Sequence, residues 1–109
     1  MIRDGIKAIA KWGICPETMW PYSDDPVKYR LRPNQKCWDY AKKHKAIKYS
    51  SVNVDEASIK TVLASGYPIV FGFEVFPQFE QVGPDGIVKM PNPGDQVLGG
   101  HCVVLCVLS

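Results

Sequence analysis

The sequence predicts an α+β fold, and three observations carry that expectation. Residues 2–12 and 56–64 place apolar side chains at helical spacing. Residues 69–76 and 102–108 are apolar runs of strand length, β-branched and aromatic in the first case and free of any charge in the second. Nine Gly and nine Pro in 109 residues demand many turns, which counts against a helical bundle. Thirteen Lys and Arg against eleven Asp and Glu leave a net charge of +2, too weak a field for nucleic acid to be the main partner. An apolar content of 46% with 22% charged residues fits neither a disordered tail nor a membrane protein. No stretch approaches the roughly 20 apolar residues that cross a bilayer. Arg3, Asp4, Lys7 and Lys11 interrupt any signal-peptide core. A chain of this size buries about 60 to 70% of its unfolded surface, enough for one domain at most.

In the first helix Ile2, Ile6, Ile9 and Ala10 form one face, expected to pack on a core, with Gly13 as the stop. Residues 15–36 carry Pro16, Pro21, Pro26 and Pro33 among scattered charges, so they form short helical turns at most. Residues 37–45 suggest a short helix and 46–54 a loosely alternating strand. Asp55 caps the helix at 56–64, with Ile59, Val62 and Leu63 facing the core and Gly66 ending it. Pro68 opens the strand at 69–76. The turn-rich segment 77–100 frames a short strand at 87–89, and the final strand at 102–108 reads as buried on both faces. One partial domain results: a helix and a Pro-rich crossover over 1–54, then a helix and strands over 55–109.

His101 stands out among candidate chemical groups, because it follows Gly99-Gly100 at the mouth of an apolar strand. His44, His101, Cys102 and Cys106 are metal-ligand types, yet none falls in the paired spacing of a zinc site, so no metal and no cofactor is expected. A catalytic thiol works at a helix start beside an imidazole. Cys15 and Cys37 have no recognisable oxyanion donors, and Cys102 faces away from its neighbour His101. Cys102 and Cys106 are about 13 Å apart along a strand, beyond the roughly 4.4 to 6.8 Å of a disulfide. Trp12, Trp20, Tyr22, Trp38 and Tyr40 show no stacking period or basic interleaving and read as core and surface-anchoring residues.

The order of the motifs carries a resemblance. Lys11-Trp12-Gly13-Ile14-Cys15-Pro16-Glu17, running on to Trp20-Pro21-Tyr22, resembles a passage of the papain-like cysteine peptidases, particularly the prokaryotic type. Gly66-Tyr67-Pro68-Ile69-Val70-Phe71-Gly72-Phe73 is similar to a strand of that family, and Phe79 with Gly86-Ile87-Val88 to the segment after it. Leu98-Gly99-Gly100-His101-Cys102-Val103-Val104 resembles the strand holding the family's catalytic histidine. The resemblance spans essentially the whole chain. Cys102 stands where the family has Ala or Gly, and Val107-Leu108 replace its Gly-Tyr, as in a truncated or frameshifted reading frame.

The resemblance implies one helix of the helical domain and antiparallel strands of the β-barrel domain, with His101 catalytic. Gly72 and Gly100 are placed near the pocket for an apolar substrate side chain, and the substrate is a peptide or protein. The nucleophilic Cys with its oxyanion Gln is expected upstream of Met1, and the orienting Asn downstream of Ser109. The chain alone is therefore expected to be inactive. Cys37 matches a cysteine that is usually bonded to one upstream, so all four thiols are expected to be free. The competing expectation is a non-catalytic interaction or assembly module that self-associates through exposed strands.

Overall fold

The computed structural model describes residues 1–106 and has the expected α+β make-up, in two compact units that divide after Ser51, with Ile2 alone of the earlier residues belonging to the second. In the first unit, helix α1 (Ile2–Trp12) forms as its periodicity predicts. Ile6, Ile9 and Ala10 are half-buried, but Ile2 is exposed and no residue of α1 is buried, so the predicted packing face finds only partial cover. The helix ends at Gly13, whose N–H donates to Ile9 O at 3.0 Å and whose φ is +85°. A Cβ added there would lie 1.7 Å from the Ala41 carbonyl oxygen, so only glycine lets the backbones come this close.

Between Cys15 and Asn34 the chain holds just one helical element, a 3-10 turn at Lys28–Arg30, in keeping with its prolines. Helix α2 (Gln35–Ala41) starts two residues earlier than predicted, because the Asn34 side chain accepts the Cys37 N–H at 3.0 Å and sets the cap there. It buries Cys37 and Ala41. Trp38 meets Trp12 edge to face, with centroids 5.8 Å apart, and donates its indole N–H to Pro33 O at 3.1 Å. Residues 46–54 do not form the predicted strand. Lys48, Ser50, Ser51 and Asn53 make that stretch polar, and no neighbouring strand pairs with it.

In the second unit, helix α3 (Glu56–Ala64) starts where Asp55 predicts. The Asp55 carboxylate accepts the Ser58 N–H at 2.7 Å and the Ser58 hydroxyl at 2.8 Å. At the other end Gly66, with φ +88°, closes a double hydrogen-bonded cap: its N–H reaches Leu63 O, and the Tyr67 N–H reaches Val62 O. Leu63 is buried, with Ile59 and Val62 half-buried beside it. Strand β1 (Ile69–Val75) then pairs antiparallel with β2 (Gly99–Leu105), Phe73 opposite His101 and Gly72 opposite Cys102.

Two predicted features of this unit are corrected. Residues 87–89 form no strand, since the turns at both ends leave them no partner. The last strand begins earlier, at Gly99, and its residues are exposed or half-buried rather than buried on both faces. Its only described neighbour is β1, and one strand cannot cover two faces; residues 107–109 of the predicted strand lie outside the described residues. A short helix α4 (Pro77–Glu80), absent from the sequence expectation, follows β1 directly.

Candidate functional site

Side chains alternate faces along a strand, and directly opposed partners share a face. The register therefore puts His101 with Phe73, Phe71 and Val103 on one face of the sheet. Gly72 and Gly100 fall on the other, with Cys102 and Glu74. The three candidate residues lie within one short ladder, but the imidazole and the two glycines point to opposite sides of it.

The His101 ring is bracketed by two aromatic rings. Phe73 meets it edge to face and Phe79, from α4, at a tilt of 57°, both with centroids 5.9 Å away; the two phenyl rings are 5.2 Å from each other. The residue is nonetheless exposed. Among the described residues the imidazole with a hydrogen bond is that of His44, whose Nδ1 lies 3.0 Å from Tyr40 O; His101 has none. Both of its nitrogens are left to accept or donate a proton, which an acid or base requires.

On the opposite face, a methyl group at Gly100 would meet no atom within 4 Å. Packing inside the unit therefore does not require glycine there. The exposed Cys102 thiol stands directly across from Gly72. Sequence reasoning passed over Cys102 as a neighbour of Gly72 because that pairing exists only once the register is known. It also passed over Phe79 as a neighbour of His101, whose placement depends on α4; the signal was Pro77 at the first position of a helix.

All four cysteines are free thiols. Cys37 is buried and donates to Met19 O at 3.5 Å; burial, and then the adjoining Cys15 thiol, push its pKa above the usual thiol value. No group of three or more His, Cys, Asp or Glu among the described residues is placed to hold a metal ion. No described helix is long and apolar enough to cross a membrane.

No family model matches the chain. It is 42% identical over 112 aligned positions to an uncharacterised peptidase C1-like protein of Acanthamoeba polyphaga mimivirus, an alignment covering 94% of this chain and 35% of that protein. It also resembles the crystal structure of xylellain, a cysteine protease from Xylella fastidiosa, with a TM-score of 0.76 and 35% identity over 95% of this chain and 43% of that one. The chain thus spans about a third of the mimiviral relative and under half of xylellain.

Proposed function

The chain belongs to the papain-like cysteine peptidase family, and from that footing we propose that it supplies the imidazole part of a Cys/His pair that hydrolyses peptide bonds. In the complete enzyme a thiolate attacks the peptide carbonyl while His101 holds it as an ion pair, and His101 then protonates the leaving amine. On the family resemblance Gly72 and Gly100 stand near the pocket for an apolar side chain of a peptide or protein substrate; the face is open at Gly100, while Ile2 Cδ1 lies 3.1 Å from where a Cβ on Gly72 would be. The single observation that supports this reading most is the His101 ring, exposed near the start of β2 and free of hydrogen bonds among the described residues.

Cys102 points to the opposite face of the ladder from that ring. On the family resemblance the nucleophile is supplied by a segment outside this chain, and the chain alone is inactive. Losing the nucleophile of a triad-type enzyme costs a factor on the order of 10⁶ in turnover. A fluorogenic dipeptide amide incubated with the chain should stay intact. Cleavage blocked by thiol reagents and abolished by substitution of Cys15, Cys37 or Cys102 would overturn the reading. The coding sequence preceding Met1 gives a second test: a Gln followed within a few residues by Cys-Trp agrees with the proposal, and an upstream frame without it does not. In that case the open strand edges favour an assembly module built on the same fold.

A further inference from the structure

We infer that Phe79 is a positioning residue for His101: with Phe73 it forms an aromatic pincer that sets the orientation of the imidazole, and a polar clasp on α4 holds the pincer closed. The inference rests on the proposed acid–base role of His101, but the pincer is observable without catalysis.

A hydrogen bond to one imidazole nitrogen sets which nitrogen carries the proton, and such a bond also restrains the ring. His101 has no such bond among the described residues. What contacts its ring are two phenyl groups, arranged with it in a triangle whose sides are 5.2, 5.9 and 5.9 Å. These separations and the edge-to-face and tilted angles are those of attractive aromatic pairs. The arrangement holds the ring by aromatic packing alone, with no hydrogen bond to either nitrogen among the described residues.

The two jaws are held differently. Phe73 is fixed by β-pairing, directly across from His101. Phe79 sits on α4, a helix of four residues, too short to be stable alone. Pro77 at the helix start presets the backbone of that turn. The Gln78 side-chain amide then donates to the Asp95 carboxylate at 2.6 Å, across seventeen positions of chain, and the same carboxylate oxygen accepts the Asn92 N–H at 2.7 Å. The segment between these contacts and β2 is short, and the Leu98 N–H extends the ladder by reaching Val75 O at 2.7 Å. Gln78 thus ties the turn carrying Phe79 to the segment that delivers His101.

The test is nuclear magnetic resonance of the 109-residue chain with labelled histidine. In the wild type, the carbon-bound protons of His101 should show through-space contacts to Phe73 and Phe79, an upfield displacement from the phenyl ring currents, and side-chain couplings of a single rotamer. F79L keeps an apolar group of similar size but removes the ring. It should reduce the upfield displacement, since Phe73 remains, and average the His101 couplings while the amides of β1 and β2 remain protected, and F79Y should restore both signatures. Should F79L lose the ladder, Q78A decides, because it opens the clasp without touching a ring: a His101 signal moving toward its random-coil position supports the pincer, and an unmoved one overturns it. A wild-type imidazole at random-coil position overturns it too, as does a His101 signal in F79L identical to the wild type. Peptide cleavage by the complete enzyme that survives H101A would instead sink the acid–base role and leave the pincer standing.

Discussion

At the scale of single residues, the thiols differ most. Cys37 is 2% exposed, and both its burial and the neighbouring Cys15 thiol favour the protonated form. Only the thiolate is alkylated, so iodoacetamide should modify the exposed Cys102 well before Cys37 in the native chain at pH 8, and denaturation should abolish the difference. Replacing Cys15 by Ala should bring the Cys37 pKa part of the way down, since burial, the larger cause, remains. Because the folded value lies above the unfolded one, the associated stability is complete below the ordinary thiol range and declines as pH rises through it. Equal alkylation rates for Cys37 and Cys102 in the native chain would contradict this assignment. His101 was legible from the sequence as a single candidate because glycines precede it and an apolar run follows. Its aromatic neighbours were not, because Phe73 and Phe79 lie 28 and 22 positions earlier and meet it only through pairing and α4.

At the scale of elements, helix ends carry the clearest expectations. Gly13→Ala places a methyl group 1.7 Å from the Ala41 oxygen at a φ of +85°. The backbone strain alone costs about 1–3 kcal/mol, and relief of the clash adds to it by separating the ends of α1 and α2. Thermal unfolding followed by the Trp12 and Trp38 signals should show a clear drop in midpoint, and a wild-type midpoint in this variant would refute the close approach. At Asp55, hydrogen bonds from the Ser58 N–H and hydroxyl hold the carboxyl below its ordinary value. The stability linked to that shift is present above the unfolded value of about 3.9 and fades as pH falls through the lower folded value. Asp55→Ala should therefore unfold more easily than the wild type at pH 7, with the gap narrowing in acid, while Asp55→Asn keeps most of the cap at both. A gap that does not change with pH would assign the effect to something other than the carboxylate.

At the scale of the whole molecule, the amount of uncovered surface dominates. The chain exposes 9304 Å² for a mass of 12.2 kDa, whereas a self-contained folded monomer of that mass exposes about 6,100 Å². Among the described residues Cys37, Ala41 and Leu63 are the buried apolar ones, while Val70, Phe71, Val97, Leu98 and Val104 stand more than a third exposed on and beside the ladder. Each strand also offers one edge without a described partner, and a two-stranded sheet by itself is marginal in water. We expect the isolated chain to bury these surfaces against a second copy. Light scattering at micromolar concentration should then give at least twice 12.2 kDa. A clean monomer with protected amides along residues 102–105 would show that the chain covers its own strands.

The sequence by itself determined the elements whose signals are local: α1 from its apolar spacing and Gly13, α3 from the Asp55 cap and Gly66, β1 from a dense β-branched and aromatic run, and the Pro-punctuated path between Cys15 and Lys36. Helix caps and turn residues act within four or five positions, so their effect is written in the neighbouring letters. It also singled out His101 and, through the order of its motifs, the family. Beyond β1, tertiary structure alone decided which of the other candidate stretches became strands. Residues 46–54 and 87–89 alternate plausibly but have no partner, whereas residues 99–105 pair because β1 lies alongside them. It decided, too, that His101 and the two glycines face opposite sides of the ladder and that Phe79 reaches the imidazole. A strand's faces and neighbours are properties of its register with another segment, and no local pattern encodes a register between residues some thirty positions apart.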